Sequence, residues 1–179
     1  MRALLTLLLC LATPSLAQDR QGNDTPGEWI VDHQSAFGLW DSFCDYRITG
    51  DLREERCYLR YVDGFSKRPR FGAQFFFLTP GPAIEFGIEP GTLFDAGGFR
   101  ILQGDAAIWI PPVAGCLIGL ACTFSGDEAE ALLQAMTQGD DFAFDFIDRH
   151  GTRQSLRWDL MPFAAALAEF RSEAAKRGI

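Results

Sequence analysis

Between Glu28 and Phe124 the sequence is a succession of short strand-like runs punctuated by glycine and proline, a pattern that leaves room for little but β structure. The runs are Glu28–His33, Phe43–Thr49, Arg56–Asp63, Arg70–Leu78, Ala83–Ile88, Gly98–Leu102, Ala106–Ile110 and Leu120–Phe124. Pro80-Gly81-Pro82, Pro90-Gly91, Gly97-Gly98 and Pro111-Pro112 separate several of them, because such residues interrupt ladders and make turns. Later, Phe142, Phe144 and Phe146 alternate with smaller or polar residues, Arg149-His150-Gly151-Thr152 turns, and Leu156 and Trp158 return. A period of two places the three phenylalanines on one face, which makes them core residues.

Helical signals are confined to two segments. Ser125-Gly126-Asp127-Glu128 reads as a capping box, with the serine accepting from the third amide and the glutamate reaching back. Ala129, Leu132, Leu133 and Met136 follow at helical spacing and Gly139 supplies the stop, giving a short helix near 126–138. A second helix opens at Pro162 and runs to Arg177, with Phe163, Leu167 and Phe170 on one face. The expected fold is mainly β, a sandwich with a short helix near 126–138 and a C-terminal helix near 162–177.

Composition bounds the function. A chain of 179 residues, 47% hydrophobic and 22% charged, is long enough for one well-buried core. Its 16 Phe and 4 Trp exclude a disordered protein. A net charge of −8 argues against nucleic acid, whose phosphates demand a basic surface.

The N-terminus reads as an address. Arg2, the apolar run Ala3–Ala12 and the small-residue triplet Ser15-Leu16-Ala17 have the order of a secretory signal peptide. Residues 1–17 are therefore expected to be removed, 18–26 to form a flexible polar leader, and 27–179 to form a single disulfide-stabilised domain. The expected location is periplasmic or secreted. Residues 106–126 are uncharged, but Pro111-Pro112, Gly115 and Gly119 break any helix there. They read as strand, turn and strand, so no transmembrane segment is expected after cleavage.

Beyond the signal, Cys44, Cys57, Cys116 and Cys122 form two close pairs. In an oxidising compartment the spacing favours Cys44–Cys57 and Cys116–Cys122, each closing a hairpin-sized loop. Loops this short contribute about 2–3 kcal/mol apiece by chain-entropy arguments. Neither pair has redox or zinc spacing.

The supply of catalytic groups is thin. No nucleophile elbow, zincin motif or phosphate loop is present. His150 falls in a predicted turn, and His33 ends a predicted strand. Asp140, Asp141, Asp145 and Asp148 read as a solvated strand face. No catalytic residue, cofactor or metal is expected. The most interaction-like feature is Arg53, Arg56, Arg60, Lys67, Arg68 and Arg70, six positive charges within 18 residues of an acidic protein. Such a segment can steer an anionic partner, unless Asp51, Glu54, Glu55 and Asp63 neutralise it.

The order of these features resembles the invasion associated locus B family of alphaproteobacterial exported proteins. The shared pattern is a signal peptide, Gly27-Glu28-Trp29, a first cysteine pair with Cys57-Tyr58-Leu59, then Cys116 to Cys122. A Leu-rich helix ending at Gly139, a hairpin, and Ser155-Leu156 before an Ala-rich helix complete it. The longer stretch from Trp29 to Cys44, which holds Trp40, marks a divergent member. The resemblance implies an immunoglobulin-like β-sandwich in the cell envelope, without catalytic residues, acting by binding an envelope or host protein. The alternatives are an exported thiol oxidoreductase using Cys116 and Cys122, a carboxylate-dependent hydrolase, or a periplasmic small-ligand carrier.

Overall fold

The computed structural model describes residues 28–63, 74–88, 93–111, 122–148 and 150–179. Its strands are β1 (Ile30–Phe37), β2 (Trp40–Thr49), β3 (Leu52–Asp63), β4 (Gln74–Thr79), β5 (Ala83–Ile88), β6 (Leu93–Gln103), β7 (Ala106–Trp109) and β8 (Cys122–Ser125). Helix α1 (Gly126–Gln138) leads into β9 (Asp141–Ile147) and β10 (Arg153–Asp159), and helix α2 (Phe163–Arg177) closes the chain. The mainly β expectation holds, with both helices where the sequence placed them.

Two antiparallel sheets carry the fold. One has the order β1-β2-β3-β4-β5-β8, the other β10-β9-β6-β7. From β1 to β5 each strand pairs with the next. The first two turns are tight because Gly38 and Gly50 take φ of +66° and +64°, values that a side chain disfavours. The four-stranded sheet covers only part of the larger sheet's inner face. Helix α2 packs across β1, β2 and β3 and completes the cover.

Aromatic rings join these layers. Trp40, 1% exposed, meets Phe76 of its own sheet, Trp158 of the other sheet and Phe163 of α2 edge-on, at centroid distances of 5.4, 6.4 and 4.8 Å. Phe142 stacks on Trp158 at 4.9 Å and on Phe99 at 4.3 Å. Phe142, Phe144 and Phe146 are all fully buried, as their alternation predicts. Edge-on and offset contacts of this kind add to what burial alone contributes.

Cys44 and Cys57 face each other across β2 and β3 and form a disulfide, with Cα atoms 4.1 Å apart. That spacing is what adjacent antiparallel strands offer a directly opposed pair. Cys122 is also disulfide-bonded. Its expected partner Cys116 lies outside the described residues, as does the leader 18–26. Within 106–126 the described ends are strands, β7 and β8. Among the described residues no helix is long and apolar enough to cross a membrane.

Two local expectations change, and a third, the stop at Gly139, holds through space rather than conformation. The Ser125 side chain makes no capping hydrogen bond. Ser125 holds the N-cap position with extended backbone, but Gly126 after it takes φ of +54°, so the first turn departs from the helical geometry over which a capping box closes. Gly139 ends α1 with φ of −85°, so its small size matters rather than left-handed freedom. A Cβ there would meet Ile101 Cγ2 and lie 2.9 Å from the Leu102 carbonyl oxygen. Asp148 does not share a solvated strand face. It is 2% exposed, just beyond β9, and accepts from the amides of His150 and Thr152 and from Gln154 Nε2, each at 2.9 Å. A side chain that satisfies two turn amides organises the β9–β10 hairpin from inside. Those donors hold its carboxyl below the usual range, Gln154 foremost.

Candidate functional site

The period-two rule decides what becomes of the arginine-rich segment. On β3, Arg56 and Arg60 are even-numbered and face outward, whereas Arg53 shares the inner-face parity of Cys57 and Leu59. The segment is therefore split between two faces of one sheet. Lys67, Arg68 and Arg70 lie outside the described residues.

On the outer face the register sets acid against base. Asp41 lies opposite Arg60, Asp45 opposite Arg56, and Arg47 opposite Glu54. Arg56 grips Asp45 with two hydrogen bonds, 2.7 and 2.9 Å. Arg47 donates to Glu54 at 2.8 Å, and Arg60 reaches Asp41 at 3.3 Å. Neutralisation thus comes chiefly from the neighbouring strand; of the four acids expected from local sequence, Glu54 pairs with Arg47 and Glu55 with Arg53.

The same guanidinium groups lie on aromatic rings. Arg56 sits 3.8 Å from the Trp29 ring centroid and Arg60 4.1 Å from that of Phe43. Phe43 and Tyr58 stack at 5.5 Å with planes 9° apart, and Phe77 follows at 6.2 Å. Burial raises the Tyr58 hydroxyl's pKa, and the Asp45 charge adds to the effect. The result is a rigid lattice of planar groups, charge-balanced, on a ribbon tied by the Cys44–Cys57 bridge. Arginine, tyrosine and tryptophan in this arrangement offer broad planar contact at low entropic cost.

A second cluster lies on the inner face, where α2 crosses β1. Asp32 is the extra residue of a β-bulge between Val31 and His33, and the bulge lets Asp32 and His33 both reach α2. His33 Nε2 lies 3.3 Å from Glu169 Oε1, and Nδ1 lies 3.6 Å from Glu173 Oε2. Ser35 Oγ donates to Glu169 Oε1 at 3.4 Å. Glu173 accepts from Lys176 and, at 2.6 Å, from Arg177. Arg177 also binds Asp32 at 3.1 Å, and Arg53 binds Asp32 at 3.2 Å. Lys176 and Arg177 together hold the Glu173 carboxyl down at about 2.

Sequence reasoning missed this cluster. Glu169 and Glu173 share a helix face at i, i+4, which is a local signal. Nothing local says that His33, more than 130 residues earlier, is their neighbour. Asp145, by contrast, is a strand-face carboxylate paired with Arg100 at 2.7 Å. Between α1 and α2 an open cleft of about 510 Å³ is lined by Asp127, Glu130, Leu133, Gln134, Leu167 and Arg171.

No family model and no curated protein matches the chain. A solved structure does. The fold is similar to that of invasion associated protein B from Bartonella henselae. The match has a TM-score of 0.50 and 14% identity, and covers 80% of this chain and 98% of that one. At that identity the likeness speaks for the fold alone.

Proposed function

We propose that this chain is an exported, non-enzymatic envelope protein that works by binding another protein through the outer face of β2, β3 and β4. The observation that carries the reading is the stacking of Arg56 on Trp29 and of Arg60 on Phe43 across a disulfide-tied ribbon. Planar cationic and aromatic groups held in register form a contact surface that loses little entropy on association. The signal-like N-terminus supports export, and the fold likeness to invasion associated protein B is consistent with the family order read from the sequence.

Site-specific photocrosslinking in cells tests this. A crosslinker at Tyr58 is expected to capture one discrete partner, while the same group at Arg157 on the other sheet captures none. Equal capture from both positions, or none from Tyr58, would reject the surface. Intact mass of the native protein tests export separately, since the mature chain should begin at Gln18.

A further inference from the structure

We propose that the Arg56 guanidinium anchors the outer face, and that what it holds is a carboxylate on an acidic segment of the partner protein. This deepens the reading of that face as a docking surface and rests on it. Asp45 accepts from Arg56 Nε through Oδ1 at 2.7 Å and from Nη2 through Oδ2 at 2.9 Å, the side-on mode of a guanidinium–carboxylate pair. Of the five N–H groups of a guanidinium, that mode uses two. Both hydrogens of Nη1 and the second hydrogen of Nη2 are left, and among the described residues they have no acceptor. Nη1 and Nη2 therefore present a second fork, on the edge that Asp45 does not occupy. Two parallel N–H groups match the two oxygens of a carboxylate. A lysine or arginine has only donors to offer and is refused.

Exposure decides which half of the pair a partner meets. The Arg56 side chain is 48% exposed and that of Asp45 4%, so the anion lies beneath the cation. Asp45 fixes the direction of the guanidinium, and the Trp29 ring 3.8 Å away holds its plane. A fork held on two sides loses little freedom when a ligand arrives. Arg47 repeats the arrangement on the same indole. It pairs side-on with Glu54 through Nε and Nη2 and lies 4.8 Å from the Trp29 centroid. The chain as a whole carries −8, so an acidic segment gains from contact only where exposed cations are gathered. Val31 and Leu52 share this face and are 45% and 60% exposed, so the carboxylate taken by the fork has apolar neighbours.

In-cell photocrosslinking from Tyr58, with the captured partner peptide sequenced by mass spectrometry, tests the fork. Tyr58 shares the outward parity of Arg56 on β3. The captured segment is expected to carry Asp or Glu beside apolar residues at the point of attachment. Arg56→Lys keeps the charge that Asp45 needs but has no fork. It should lower capture roughly tenfold or more, the factor carried by one lost charge-assisted hydrogen bond. Arg157→Lys on the other sheet should leave capture unchanged. A captured segment without carboxylates, or capture indifferent to Arg56→Lys, would overturn the fork and leave the surface standing. No capture, or capture of a polysaccharide, would overturn both. Where Arg56→Lys fails to fold, the segment captured by the wild type decides, an acidic one supporting the fork and any other overturning it.

Discussion

Arg56 and Asp45 face each other across β2 and β3, joined by two parallel hydrogen bonds of 2.7 and 2.9 Å, with Asp45 only 3% exposed. The pair is a hinge point of the outer face, because the same guanidinium also covers Trp29. Arg56→Ala leaves a buried carboxylate without its cation. Arg56 itself is half exposed, so solvent screens part of the interaction, and the expected loss is about 1–2 kcal/mol. Removing both partners in Asp45→Asn/Arg56→Ala should recover part of it. Urea unfolding of the four proteins in the cycle checks the coupling, and strict additivity would show that the pair contributes nothing.

Ser42 is fully buried on the core face of β2, and among the described residues its hydroxyl has no hydrogen-bond partner. An unpartnered buried hydroxyl costs free energy that alanine avoids. Ser42→Ala is expected to stabilise the fold by about 1 kcal/mol in chemical denaturation. A loss of similar size would mean that the hydroxyl is bonded in solution.

Gly139 sits where α1 turns into β9, closely backed by Ile101 and the Leu102 carbonyl. Its φ of −85° is open to any residue, so the demand for glycine is one of space. Gly139→Ala should therefore destabilise by roughly 1–3 kcal/mol through overpacking. Pairing it with Ile101→Leu, which removes the obstructing Cγ2 branch at nearly constant side-chain volume, should return some of that loss. No rescue would place the strain elsewhere.

Glu173 gives the fold an acid-sensitive lock. Its folded pKa, about 2, lies below the ordinary 4.5 because Lys176 and Arg177 favour the ionised form. A depressed carboxylate contributes stability that is fully present above its unfolded pKa and is lost as pH falls through the folded one. The difference in melting temperature between wild type and Glu173→Gln should therefore be largest near neutrality and shrink from pH 4.5 toward 2. A difference that is flat across that range would contradict the ion-pair origin.

What sequence alone determined was periodic and local. Phe142, Phe144 and Phe146 announced a core face by alternation, the helices near 126–138 and 162–177 announced themselves by spacing, and Cys44 and Cys57 by their closeness around Gly50. Each of these depends on residues within a few positions, where backbone period dictates geometry. The tertiary structure decided the rest. Strand parity divided Arg53 from Arg56 and Arg60, and the register chose Asp45 and Asp41 as their partners. The bulge at Asp32 and the crossing of α2 brought His33 to Glu169 and Glu173, more than 130 residues away. Contacts of that kind are set by how sheets and helices share one buried volume, and no local pattern of side chains encodes which distant surfaces will meet.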